Sequence, residues 1–430
     1  MVHQRNVLLV ASILRQGLGL GYHDCLWDNT TGSCRFVRAA TIPATSTPTE
    51  DFCDDLSLGD KCCGLNGKLT GGKCVCDPPW YGNNCEMIRF KPAERKSRYS
   101  YGTTPKYDSR GKKTFYGNWT WGADVIFDGG SYHMYVSVMP PGLNLSSWAQ
   151  SLVEHAVSKD VLGPYTYNRT TLRPGHNPAV VKLPDGTFAL FSILQYGVHT
   201  SPSPYGPWTY VKQAVHCPLC YCNNPAPWVH ANGTIFLACG GGGPAVDGIW
   251  RAENVTGPWE RLPGSSHITF NHIRKDGYII PYSGAYEDPY LYFDARDNLH
   301  VLYHAYRNEG PDAINASCRN TLVSAHAFSE DGYTWYSSPG QPYASQIEMG
   351  TGETLLFWTR ERPKIFWEGG KMTHLVTAVS PVPDERDPIT RRFSSCPQGQ
   401  QCSDCKGFVW DYTLVEELDR DSTPVEEFVV

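Results

Sequence analysis

Five stretches of the chain share one alternation of polar and apolar positions: "WGADVIFDGGSYHMYVSV", "HNPAVVKLPDGTFALFSI", "NNPAPWVHANGTIFLACG", "YEDPYLYFDARDNLHVLY" and "ERPKIFWEGGKMTHLVTA". Each opens on a polar or acidic residue, usually with a proline beside it. An apolar strand follows, then a turn rich in Asp, Asn and Gly, then a second apolar strand, and this order of signals predicts a β-hairpin. Aligned on it, Asp124, Asn177, Asn224, Asp288 and Arg362 correspond, at steps of 53, 47, 64 and 74 residues that leave room for two further strands after each hairpin. Those strands have markers of their own. "GPYTY" at 163, "GPWTY" at 206, "GPWERL" at 257 and "DGYTWYSS" at 331 each join a Gly-led turn to an aromatic strand. Four strands per repeat at this period describe propeller blades, which stack radially so that none has to bury its faces alone. The pattern predicts an all-β chain with a five-bladed β-propeller over residues 100–420. A β-sandwich would explain neither the recurring entrances nor the "GPW" exits.

In such a fold the innermost strand of each blade begins beside the central channel, so the entrance residues converge from different blades. This selects Asp124, His176, Asn177, Asn223, Asn224, Glu287, Asp288, Glu361 and Arg362 as candidates for chemistry. Glycoside hydrolysis needs two carboxylates across a site, one to protonate the leaving oxygen and one to activate water. Adjacent strand residues point to opposite faces, so one of Glu287 and Asp288 is expected to face the funnel, and Glu287 is preferred. The pair could instead cap a strand or meet a surface arginine. Arg362 offers a fixed fork of donors for a sugar diol or carboxylate, or else pairs with Asp288 or Asp124. His176 and His304 could be sugar-binding donors or satisfied core histidines.

At these residues the chain resembles the five-bladed propeller glycosidases, above all glycoside hydrolase family 43 and its relatives. The resemblance implies a base Asp in the first blade, matched by Asp124 in "WGAD", and an acid Glu in the fourth, matched by Glu287 in "YEDP". His176, Asn177, Asn224, Asp288 and Arg362, gathered at the same entrances, are the expected substrate contacts. The chain departs at the third blade, where Asn224 in "NNPAP" stands in place of an Asp that in the family tunes and orients the acid. "FSEDGYTW", residues 328–335, is similar to the Asp-box turn of sialidases but one residue short, and such turns are structural.

Composition sharpens the setting. The 13 Trp, 25 Tyr and 41 Gly favour short strands and turns, and aromatics at blade exits, such as Trp208 and Trp259, are expected to pack between blades. A net charge of −6 without a Lys/Arg block gives no footprint for nucleic acid. Sixteen cysteines suit pairing in an oxidising compartment. Seven N-x-Ser/Thr triplets, at Asn29, Asn118, Asn144, Asn168, Asn232, Asn254 and Asn315, agree with a glycosylated surface. Secretion is the expectation. "NVLLVASIL" within residues 1–52 reads as a weak or truncated signal peptide, and no apolar run is long enough to span a membrane.

Residues 53–86 hold the densest cysteine cluster, and "CVCDPPWYGNNC" within them resembles the carboxyl half of an epidermal growth factor-like (EGF-like) module. That resemblance implies a Cys76–Cys85 bond and leaves the other pairings open. A disulfide spacer without a binding role fits the cluster, and zinc does not, because oxidised cysteines do not ligate metal. Residues 87–99 read as a linker. "CPLCYC" at 217–222, with Cys239, suggests disulfides before Asn224, while "FVWDYTLVEEL" reads as a closing strand.

The sequence thus points to a secreted hydrolase of O-glycosidic bonds acting on an oligo- or polysaccharide, with inversion. It implies no cofactor, leaves a calcium ion in the channel open, and does not disclose oligomeric state. A glycan-binding or adhesion propeller displayed on a cysteine-rich stalk is the alternative, and a sugar transferase or lyase is a third.

Overall fold

The computed structural model describes residues 27–28, 33–34, 56–94, 98–99, 106–107, 113–115, 119–140, 145–195, 197–211, 222, 224–240, 248–262, 286–305, 324–344, 346–350, 352, 354–381 and 412–421. Four sheets of four antiparallel strands form blades 1 to 4 in chain order, each strand paired with the next in sequence. Blade 1 runs from Trp119–Asp128 to Thr166–Leu172, blade 2 from His176–Lys182 to Thr209–Val211, blade 3 from Ala226–Val229 to Glu260–Arg261, and blade 4 from Tyr286–Phe293 to Tyr336–Ser337. Blade 5 is assembled differently. Its strands Thr354–Glu368, Lys371–Pro381 and Tyr412–Glu417 are completed by Arg98–Tyr99, which pairs with Leu414 and Thr413. A second compact unit contributes only the short antiparallel pair Trp27–Asp28 and Ser33–Cys34 to the described residues.

Turn chemistry explains the hairpins. In blades 1 and 5 two glycines span the turn, Gly129–Gly130 and Gly369–Gly370, all four with positive φ, as a two-residue turn matched to strand twist requires. Blades 2, 3 and 4 use a longer turn whose left-handed position is held by Gly186, Gly233 and Asp297. The "GPY" and "GPW" exits also share one geometry. Gly163, Gly206 and Gly257 have φ of 91, 89 and 86° and donate to the carbonyls of Asp160, Ser203 and Asn254. The "FSEDGYTW" turn is structural, since Asp331 Oδ1 accepts from the Tyr333 and Thr334 amides while Trp335, 1% exposed, fills the core.

Apolar clusters lie between neighbouring blades. One joins Tyr135, Val153 and Leu172 of blade 1 to Val180 and Leu190 of blade 2. Another joins Ala123, Val125 and Met134 to Phe366, Val376 and Val415 of blade 5, so the ring closes on itself.

The cysteine-rich segment carries the disulfides Cys63–Cys74 and Cys76–Cys85. It is no free stalk. Cys62, Cys63, Trp80, Cys85 and Ile88 share one buried cluster with Tyr290, Tyr292 and Leu302 of blade 4 and Ile365 and Leu375 of blade 5. The Arg296–Asp77 ion pair at 2.8 Å and the Ile88 amide bonded to the Pro342 carbonyl at 2.8 Å fasten its rim. Residues 87–94, read as linker, are likewise fixed: Phe90 bridges to Leu418 and Ala93 to Met349. Linker composition gave no sign of this, because the anchoring runs through backbone hydrogen bonds. Cys222–Cys239 is a disulfide, as expected for the segment before Asn224.

Of the sequons, Asn168, Asn232 and Asn254 are exposed, while Asn29, Asn118, Asn144 and Asn315 lie outside the described residues. No helix among the described residues is long and apolar enough to cross a membrane.

Candidate active site

Four of the five inner strands break register where they enter the channel. The pairing skips two residues between His176 and Ala179, Glu287 and Tyr290, and Glu361 and Lys364, and between Thr120 and Ala123 in blade 1. In each break one residue is left-handed: Gly122 (φ 73°), Asn177 (47°), Asp288 (55°) and Arg362 (58°), with Asn224 (48°) at the same place before blade 3. Such a bulge re-aims a side chain out of the alternation of the strand. The alignment of Asp124 with these four is therefore corrected. The bulge in blade 1 is occupied by glycine, which has no polar side chain to mark it, and Asp124 lies beyond it in register with Val180, Leu291 and Ile365.

The left-handed side chains meet. Asn177 Nδ2 donates to Asn224 Oδ1 at 2.8 Å and to Asp288 Oδ1 at 3.2 Å, and Arg362 Nη1 lies 3.5 Å from the same Asp288 oxygen. A Cβ on Gly122 would fall 2.5 Å from Arg362 Cδ, so the arginine stem fills the space that glycine leaves open. Asn177, Asn224, Asp288 and Arg362 are all buried, and together they form a polar belt linking four blades. The partner of Arg362 is Asp288. Of the two adjacent acids, Asp288 is the one that reaches across the channel, because left-handed backbone turns it there; Glu287 is half-buried, with its backbone opposite His304.

His176 lies beside this belt. Its Nδ1 is 2.8 Å from Ser151 Oγ, its ring faces the indole of Trp148 at 5.8 Å, and burial together with the Arg362 charge holds it neutral. Asn223 lies outside the described residues.

Asp124 occupies the layer beyond the belt. Its two oxygens accept from the amides of Val125 and of Val180 in the next blade, both at 2.9 Å. Burial pushes its carboxyl up to about 6, against the opposing pull of the Lys364 ammonium and those two amides. Lys364, 3% exposed, was not singled out from sequence, although it is the charged residue inside the apolar run of "ERPKIFW". Its ammonium stands 5.7 Å from the centre of the Tyr290 ring. The Tyr290 hydroxyl donates to the Ile365 carbonyl at 3.0 Å and accepts from Trp367 Nε1 at 2.9 Å.

Asp288, His304 and Glu361 offer ligand atoms within 4.8 Å of one another. The Arg362 guanidinium also draws on Asp288.

No protein-family profile and no curated protein matches the chain. Solved structures do. A Bacteroides thetaiotaomicron protein provisionally described as a glycosidase aligns at TM-score 0.50 and 10% identity, over 78% of this chain and 97% of its own. The fold is that of the five-bladed propeller glycosidases. An α-L-arabinofuranosidase of Podospora anserina in complex with cellotriose aligns at TM-score 0.47 and 11% identity, covering 78% and 98%. The catalytic domain of a Coprinopsis cinerea α-L-arabinofuranosidase aligns at 0.45 and 14%, covering 77% and 97%. At such identities the likeness to propeller glycosidases is one of fold, and the chemistry rests on the residues of this chain.

Proposed function

We propose that the protein is an extracellular hydrolase of O-glycosidic bonds, with Asp124 as general base and Glu287 as general acid. The observation that carries this reading is Asp124 itself: its half-buried carboxyl accepts from two backbone amides and is pushed up to about 6. A base must be ionised yet still basic enough to take a proton near neutrality, which that value provides. Glu287 is half-buried, whereas the neighbouring Asp288 and Glu361 are buried, so Glu287 is the more accessible acid at these entrances. The disulfides suit an oxidising compartment, and exposed Asn168, Asn232 and Asn254 suit glycosylation there.

The experiment is reducing-sugar release from a panel of pentose, fucose, galactose and uronate oligosaccharides, followed by variants on whichever is cleaved. Asp124→Asn and Glu287→Gln should each lower kcat by roughly 100- to 10,000-fold with an unchanged circular dichroism spectrum. Rates equal to the parent would remove the assignment. Inversion predicts that the first-formed product has the opposite anomeric configuration, which proton NMR reads directly.

One observation favours a second reading. Asn224 is a neutral amide bonded to Asn177, so the third blade places no carboxyl there to tune an acid. Glycan binding without product, indifferent to Glu287→Gln, would mark a lectin-like propeller.

A further inference from the structure

Lys364 is a buried cation without a direct counter-ion. Among the described residues it makes no hydrogen bond or ion pair, and its ammonium stands 5.7 Å from the Tyr290 ring. It feels the charges of Asp124 on blade 1, of Asp288 on blade 4 and of Arg362 on its own strand. Asp124 cannot close a pair with it cheaply, since both carboxylate oxygens are engaged by backbone amides. Two residues earlier, Arg362 Nε and Nη1 are buried with no hydrogen-bond acceptor, Nη1 coming no nearer than 3.5 Å to Asp288. Asp288 Oδ2, also buried, has no donor.

Leaving buried Arg362 donors unmet within reach of a second cation's charge is costly unless something supplies the missing acceptors. The unmet groups define what that is: an anion for Lys364 and Arg362, and a hydroxyl to donate to Asp288 Oδ2. A sugar carrying a carboxylate or sulfate offers both from one ring. Resting on the hydrolase reading for its placement in the channel, we propose that Lys364 and Arg362 form an anion subsite and that the substrate is a glycan with acidic sugar residues. A uronate carboxylate and a sulfate ester present the same acceptor chemistry.

Binding is measured by calorimetry on the full chain carrying Glu287→Gln, so that turnover does not interfere. The probes are a uronate oligosaccharide, a sulfated galactan oligosaccharide and a neutral xylo-oligosaccharide of equal length. At low salt one acidic probe should bind at least about tenfold more tightly than the neutral one, with affinity that falls as sodium chloride rises. Which acidic probe wins identifies the source of the anion. Lys364→Met should remove most of the preference and Lys364→Arg should retain part of it. Because Lys364→Met could impair folding, its thermal transition is measured alongside, and the salt dependence of the parent serves as a test that needs no variant at that position. Equal affinity for acidic and neutral probes, no binding of any probe, or a preference that survives Lys364→Met in a folded protein overturns the subsite. Acid-selective binding without any hydrolysis by the parent would instead retain the subsite and remove the hydrolase reading, while hydrolysis of neutral glycans without acid preference would do the reverse.

Discussion

Asp124 and Lys364 act on each other across the channel, and their coupling has a measurable sign. Burial is the largest influence on Asp124 and pushes its carboxyl up to about 6, while the Lys364 charge and the amides of Val125 and Val180 hold it down. The Tyr290 hydroxyl nearby stays neutral, its titration displaced far upward by burial. If Asp124 is the base, kcat/KM should fall on the acid side with a midpoint near pH 6. Replacing Lys364 by methionine removes a favourable charge, so Asp124 should titrate higher and the acid limb of the profile should move to higher pH. A limb that stays in place in Lys364→Met would show that another group controls it. Neither residue was fully legible beforehand: Asp124 was found by its motif, but its partner was concealed in an apolar strand, where a lysine reads as a misfit until the channel is seen.

At the scale of the strand, the repeated bulge is what sequence reading caught and also where it slipped. Pro178, Pro289 and Pro363 occupy skipped positions in the ladder, where a residue without an N–H loses no pairing. Hence "NP", "DP" and "RP" were visible as entrances. The preceding residue's left-handed backbone was not visible, since Asn, Asp and Arg have no shared chemistry that demands it. Blade 1 uses Gly122 and lacks the proline, and Asp124 stands three register positions beyond the place of Asn177. Gly122→Ala should expose this difference. It forces a Cβ into φ 73° and to 2.5 Å from Arg362 Cδ, and should cost about 1–3 kcal/mol. Chemical denaturation measures that loss directly, and a value near zero would mean that the belt tolerates displacement of Arg362.

For the whole molecule, the ring and its buttressing module were recognised only in part. The five-blade count followed from local periodicity, whereas the docking of Trp80 and Ile88 against Tyr290 and Ile365 joins segments far apart in sequence and leaves no local signature. Buried histidines pervade the blades. His133 and His155 are bonded at 3.0 Å in blade 1, and His300 and His326 at 2.9 Å in blade 4. Burial lowers all four, His155 to about 4, and it lowers His304 to about 4 as well. Each is neutral when folded and binds a proton more readily when unfolded. Stability should therefore be fully present above about pH 6.5 and be lost progressively as pH falls toward 4. Thermal melts across that window test the sign, and a transition temperature that rises on acidification would contradict it.

Blade 5 draws its strands from both halves of the chain, with Arg98–Tyr99 meeting Thr413 and Leu414. A nascent polypeptide can finish blades 1 to 4 one after another as each emerges, but the circle stays open until residues 412–417 arrive. Until then the seam between blades 1 and 5 lacks Val415 from its shared cluster and the Thr413 amide bonded to Thr120 Oγ1. Closure of the ring thus waits for one strand, Tyr412–Glu417, however early the other blades form.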